Sequence, residues 1–351
     1  MVDWSLAGQI ARFAAGSDDR ERLAFDFDEA SERALGQVSG YSGLELFGPA
    51  PPVHEVSRSE WAESNLTALS DLLEPVSQRL EDRLGRAGPL AGALRAATGA
   101  TLAAEVGLVM GYMSQRVLGQ YELSLLQPEV PPQRLLFVTP NLRRAVRDLE
   151  VDEESFLSWV VLHEVTHVLQ FSGVTWLREH LGALLREYLT TVEVRIDRGA
   201  AGGLPSLPDP SLIVERFRDG GLAALVQTRE QRRLMERIQC AMAVVEGYSE
   251  HVMDAVGADV LPEYDGLREA MERRRRSRSA PERLLLRLLG LDQKMKQYED
   301  GKRFCDAVAS QAGIEKLNLV WHAPTALPTA SELRSPATWI GRLEADPVAT
   351  A

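Results

Sequence analysis

The sequence predicts a mainly α-helical protein with a small β element, and three observations predict it. Apolar residues recur at helical spacing along much of the chain, as Leu66, Leu69, Leu72, Leu73 and Val76 do between Trp61 and Leu84. One short apolar run, residues 135–139 (LLFVT), ends at Pro140-Asn141 and is the best strand candidate. Residues 159–171 (WVVLHEVTHVLQF) read as a helix buried nearly all round, with His163, Glu164 and His167 in an H-E-x-x-H pattern.

That third stretch organises the rest. Two histidines four residues apart lie one above the other on a helix, where one metal ion can take both imidazoles. Glu164 lies beside that face and can act as general base towards a metal-bound water. Between Leu157 and Phe171 no residue is charged apart from Glu164 and the histidines. An ionisable trio inside such an apolar helix is costly unless it is paired or ligated. Zinc is the expected ion, since imidazole and carboxylate suit it and catalytic sites keep an open position for water.

The elements follow in order. Residues 1–50 read as one or two helices, closed by a Gly- and Pro-rich loop over 40–52; His54 beyond it reads as a surface loop residue. Helices are expected over 61–84 and, with few charges, over 90–118. The run at 135–139 lies shortly before the metal helix, where a strand could form an edge for substrate backbone; a buried loop is the alternative reading. Asp152, followed by Glu153 and Glu154, supplies an N-cap and an acidic first turn for the metal helix.

Beyond it, a helix is expected over 175–190, then a loop at 200–210 (AAGGLPSLPDP). A long helical region over 210–256 should end with Gly257 as C-cap. The basic run Arg273–Arg276 with Arg278 reads as a solvated helix end, and residues 284–304 as an amphipathic helix pair. Trp339 is expected to pin the Pro-containing tail.

Length and composition set the frame. The chain has 351 residues, 45% of them hydrophobic and 26% charged, which suits a globular protein with a sizeable core. It is read as one catalytic unit, 1–351, with sublobes 1–172 and 173–351. A net charge of −12 argues against binding a phosphate backbone. No run of about 18 apolar residues occurs, so no membrane span is expected. Cys240 and Cys305 are too few for a disulfide framework, and the N-terminus lacks a basic start and an apolar core. A cytoplasmic location is expected.

Taken together, several landmarks resemble a bacterial family of zincin-like metallopeptidases, some members of which carry a label tying them to biosynthesis of a deazaflavin coenzyme. They are Arg58-Ser59-Glu60-Trp61, Val117-Leu118-Gly119-Gln120-Tyr121, Thr139-Pro140-Asn141, Leu162 to Phe171 with Trp176-Leu177, and Glu246-Gly247 leading to Val252 through Gly257. Leu289-Gly290-Leu291, Lys294, Gln297-Tyr298, Gly301 and Phe304 match as well, so the resemblance covers essentially the full chain. It implies a mostly helical zinc-dependent hydrolase and supplies no substrate. One departure is Tyr248, where a histidine is common in the family.

The third ligand is open at this level. The H-x-x-G-x-x-H extension is excluded, because Gln170 and Gly173 hold the positions that need Gly and His. Glu246 and Glu250 share a helix face, in an arrangement that resembles the E-x-x-x-D of glutamate-type zincins. There the first acid binds zinc and the second supports a ligand histidine. Glu246 is therefore the leading ligand. The rivals are Glu250 with Asp254, then His251, then His180. Gly247 is expected to let this helix approach the metal helix closely. Tyr248, His251, Tyr298 and Arg303 are candidates to stabilise a tetrahedral oxyanion.

The functional expectation is a zinc hydrolase acting on a peptide or small amide, most simply a peptidase, with no nucleic-acid or membrane partner. Two other classes compete. A zincin-fold binding or scaffold protein without turnover would need no general base, which the intact Glu164 argues against. A small-molecule amidase would use the same metal chemistry in a narrower pocket.

Overall fold

The computed structural model describes residues 2–17, 23–84, 91–123, 125, 133–191, 228–276 and 291–345. The loop expected at 200–210, Arg278, and the first part of the helix pair expected over 284–304 lie outside them. The chain forms two compact units, Met1–Thr175 with Val252–Met271, and Trp176–His251 with Glu272–Ala351.

The first unit opens with α1 (Trp4–Ala15), capped by Asp3, whose Oδ1 accepts from the Leu6 N–H at 2.9 Å. Ala7, Ala11 and Ala15 line its fully buried face. They meet α4 (Ala91–Ser114) at Gly107 and Gly111. A Cβ on Gly107 would stand 2.6 Å from the Ala7 carbonyl oxygen, and one on Gly111 2.8 Å from that of Ala11. Glycine at both places lets the two backbones touch. Next come α2 (Phe27–Ser42), capped by Asp26 and stopped by left-handed Gly43, and α3 (Arg58–Leu84).

The β element is a three-stranded sheet in the order β1 (Val53–Val56), β3 (Leu135–Val138), β2 (Gly119–Tyr121). β1 runs parallel to β3, with Val53 opposite Leu135, and β2 runs antiparallel, with Tyr121 opposite Leu135. All four residues of β3 are buried, as a central strand covered on both faces requires. Phe137 stacks on Phe27 of α2 at 4.5 Å between ring centroids. His54 is exposed on β1 rather than in a loop.

The expected strand at 135–139 is thus present, but Thr139 already starts α5 (Thr139–Leu149). Asn141 on its first turn ties three segments. Its Nδ2 donates to the carbonyls of Ser114 and Val117 at 2.7 and 2.6 Å, and its Oδ1 accepts from Arg58 Nε at 2.7 Å. Ser114 is the last residue of α4 and Val117 lies on the link to β2, so one side chain satisfies an acceptor that the helix leaves open and another just beyond it. After α5 comes α6 (Glu153–Gly173), the helix of the H-E-x-x-H pattern, where Asp152 caps as expected by accepting from Ser155 N–H at 2.8 Å.

The second unit holds α7 (Leu177–Thr191) and most of α8 (Arg229–Val260). α8 runs straight through Gly257, so that glycine is not the expected C-cap. A Cβ there would meet the Tyr264 ring at 2.9 Å, and close ring packing rather than helix termination explains it. Tyr264 opens α9 (Tyr264–Arg276), which carries the basic run Arg273–Arg276.

In the second unit α8 crosses α10 (Leu291–Ala312) at a glycine pair. A Cβ on Gly247 would overlap the Gly301 carbonyl carbon, and one on Gly301 the Ala243 carbonyl oxygen. Three short helices follow, α11 (Ile314–Leu317), α12 (Ala330–Arg334) and α13 (Pro336–Ala345), with 3-10 turns between. Trp339 is fully buried edge-on to Phe304, and its Nε1 donates to the Ala326 carbonyl at 2.7 Å, which pins the tail. Among the described residues no helix is long and apolar enough to cross a membrane.

Candidate functional site

Helix α6 buries fourteen of its side chains, Trp159 through Leu162 and Val165 through Gln170 among them. The two imidazoles project from this otherwise apolar rod. His163 Nε2 and His167 Nε2 stand 3.2 Å apart, with ring centroids at 4.7 Å and planes at 87°. Two nitrogens bound tetrahedrally to one zinc at ~2.0–2.1 Å would be about 3.4 Å apart, so the pair is set for a shared ion. His167 Nδ1 lies 2.9 Å from Oε1 of Gln170, which is fully buried. An amide oxygen only accepts, so Nδ1 carries the proton and Nε2 presents its lone pair.

Glu164 is buried, with 6% of its surface exposed. Its Oε2 accepts from the Tyr121 backbone N–H at 3.0 Å. Below it Gly119 has no side chain, and a Cβ there would stand 2.8 Å from Glu164 Cγ and 3.0 Å from Oε1. The sequence offers the strand shortly before the metal helix as a substrate edge. That strand, β3, is paired on both sides, and the outer strand beside Glu164 is β2. Gln170, Gly119 and the Tyr121 amide are contributions that spacing alone misses. The nearest signal was the landmark run Val117–Tyr121, which carries no chemistry of its own.

In the second unit Glu246 and Glu250 lie four apart on α8, both half-buried. Gly247 brings α8 against α10 at Gly301. The other candidates hold structural partners. Tyr248 is fully buried edge-on to Trp321, and its hydroxyl donates to Asn318 Oδ1 at 2.7 Å. His251 Nδ1 meets Asp306 Oδ1 at 2.8 Å, and Lys302 Nζ reaches the same carboxylate at 2.7 Å. Burial alone would raise the Asp306 pKa, but hydrogen bonds from His251 and Lys302 outweigh it and hold the carboxyl below its ordinary range.

Asp254, in the first unit, accepts from the Tyr264 hydroxyl and pairs with Arg268 at 3.2 Å. Arg303 is exposed and pairs with Asp300, which places it on the surface. Tyr298 lies on α10, and its side chain falls outside the described residues. His180 sits edge-on to Trp176 at 5.7 Å, and burial, aided by Arg237, lowers its pKa and favours the neutral ring. Burial pushes the Cys240 thiol up to about 11 and raises that of Cys305 as well, so neither is a ready nucleophile.

A buried helix that pairs two imidazoles and sets a carboxylate between them marks a metal-dependent hydrolase of the zincin class. The chain belongs to the zincin-like metallopeptidase family, whose model matches residues 2–340. It is also similar to a solved structure from Chloroflexus aurantiacus, described there as a provisionally assigned hydrolase with a novel fold. The two are 29% identical with a TM-score of 0.74, over 99% of this chain and 100% of that one. No curated protein matches the chain.

Proposed function

We propose that this protein is a zinc-dependent peptidase in which His163, His167 and Glu246 hold the ion and Glu164 is the general base. The observation that carries the reading is the imidazole pair on α6, His163 Nε2 and His167 Nε2 at 3.2 Å, with the buried Glu164 carboxylate on the same helix. Glu246 is the third ligand the sequence offers. Two imidazoles and one carboxylate suit zinc and leave a position open, as catalytic sites do.

Zinc, when bound there, polarises the scissile carbonyl and makes a water molecule acidic enough to attack near neutral pH. The chain's own groups do the rest. Glu164 takes a proton from the attacking water and later passes it to the departing amine nitrogen. The Tyr121 N–H holds one of its oxygens, so the carboxylate needs no reorientation between the two transfers. Gln170 keeps the His167 tautomer that presents Nε2. Burial of Glu164 and His167 excludes bulk water from the proton path.

The test is elemental analysis of protein purified without chelators, followed by zinc reconstitution and a peptide-hydrolysis assay. About one zinc per chain is expected by the ligand logic of such sites. Protein that takes up no transition metal even after reconstitution would remove the basis of the reading.

A further inference from the structure

Helix α6 carries an inference about the side chain its substrate presents. From Phe156 onward the helix buries every apolar side chain it has except one, Phe171, which is half-buried. His163 is half-buried too, and every residue from Glu164 to Gln170 is buried. Solvent therefore reaches this part of the helix at His163 and at Phe171. One half-buried aromatic on a protein surface needs no explanation by itself. The position of this one does.

Phe171 follows Glu164 by seven residues. At about 3.6 residues per turn that is two turns, about 10 Å along the axis, with a rotation of only ~20°. Both imidazoles lie to one side of that line, so Phe171 stands on the base's side of His163 and His167. Helix side chains lean towards the N-terminus, so the Phe171 ring covers the turn that carries His167. The ring is held there by Tyr121, which stacks on it at 6.2 Å between centroids and 28° between planes. The N–H of the same Tyr121 holds Glu164 at 3.0 Å. Tyr121 is only 7% exposed, so it forms the back of an aromatic wall and Phe171 the accessible front. One residue of β2 thereby joins the base to that wall.

We infer that Phe171, backed by Tyr121, walls a subsite for an apolar side chain, aromatic by preference, on the residue that supplies the leaving amine. The inference rests on the zinc peptidase reading and deepens it. Glu164 passes its proton to the departing nitrogen, so the amine half of the substrate lies on the base's side of the ion, where Phe171 stands. A flat ring there packs against Phe171 and removes apolar surface from water. A charged side chain gains nothing from that wall and loses part of its hydration. The substrate class is peptides with an apolar or aromatic residue directly after the scissile bond.

Hydroxamates bind zinc directly and separate this inference from the reading beneath it. A succinyl hydroxamate carries a substituent on the amine side of its metal-binding group, so it probes this subsite. Full-length, zinc-reconstituted protein is titrated with acetohydroxamate and with two succinyl hydroxamates that differ only in that substituent, benzyl or methyl. Acetohydroxamate reports the metal site alone, and its failure to bind would overturn the zinc reading and this inference with it. The benzyl compound is expected to bind about 10-fold or more tighter than the methyl one, the size of burying one aromatic ring. A ratio within about 3-fold, with acetohydroxamate bound, would overturn the inference and leave the zinc reading standing. Phe171→Ala should bring the ratio to within about 3-fold and leave acetohydroxamate binding unchanged. A ratio still at the wild-type value would put the subsite elsewhere and overturn the inference. If Phe171→Ala also loses acetohydroxamate, as a misfolded variant would, Phe171→Leu decides. It keeps apolar bulk and loses the stacking, so the ratio should fall by about 3-fold, and an undiminished ratio would overturn the inference.

Discussion

Oε1 of Gln170 sits 2.9 Å from Nδ1 of His167, on the same helix and three residues further on. The ring of a proposed ligand is thereby oriented by a neutral amide from its own α6. Replacing Gln170 with leucine, of similar volume, should leave the fold intact and weaken zinc binding by ~10–100-fold, the usual effect of losing such a partner. Gln170→Glu restores an acceptor and should retain affinity. Competition against a chromogenic chelator reads both, and an unchanged constant in Gln170→Leu would show that the amide does not orient the ring.

Glu164→Gln keeps the volume of the side chain and removes its ability to accept the proton. Zinc content should stay at the wild-type level while hydrolysis falls by about 10²–10⁴-fold, the contribution of a general base. Full activity in a zinc-loaded Gln variant would take the base role away from Glu164.

Glu246 and Glu250 share one face of α8 but have different roles in the proposed site. Glu246→Ala should abolish tight zinc binding, whereas Glu250→Ala should weaken it by ~10–100-fold as a supporting group. Zinc titration of both variants decides between them. If Glu246→Ala binds as tightly as wild type, the ligand is Glu250 or a histidine.

Much of this was legible in the chain because it depends on local rules. The H-E-x-x-H spacing, the apolar flanks and the Asp152 cap each follow from residues within a turn or two, and α6 has the bounds they imply. Residues 135–138 form a strand because a short apolar run before proline has few other options. What was not legible depends on non-local packing. Gly257 looks like a helix stop until the Tyr264 ring is laid over it, and nothing near Gly247 in the sequence announces that Gly301 lies against it. β2 is three residues long with no alternation of its own, so only its partner, β3, defines it. His251 illustrates the same limit: its place near two acids suggested chemistry, and its partner Asp306 lies 55 residues away.

The glycine crossing of α8 and α10 gives a stability prediction. Gly301→Ala would push a methyl group into the Ala243 carbonyl, with backbone rather than a movable side chain in the way. A loss of about 1–3 kcal/mol or more is expected, as for overpacked sites. Gly341→Ala is the control, since nothing lies within 4 Å of the added Cβ. Urea unfolding midpoints measure the contrast, and equal midpoints would contradict the crossing.

Acid sensitivity should track the Asp306 clasp. Its folded-state pKa is depressed, so the stabilisation is present above the unfolded carboxylate value of about 3.9 and is lost as pH falls through the folded one. Wild type should therefore exceed Asp306→Asn in stability at pH 6, and the gap should close towards pH 3. A gap that stays constant over that range would mean the pair contributes through packing and not through charge.

Asn141 carries a consequence for anyone who scans this chain by activity. Its amide fastens the end of α4 to the start of α5 and to Arg58, just where the backbone turns into β2. Loosening that knot shifts the strand whose Tyr121 N–H holds Glu164, while His163 and His167, anchored within α6, stay where they are. A disabled Asn141 variant would thus be metal-replete, folded and inactive. In a screen scored on turnover alone it would be counted among the residues that touch substrate, although its side chain works at the far end of the strand.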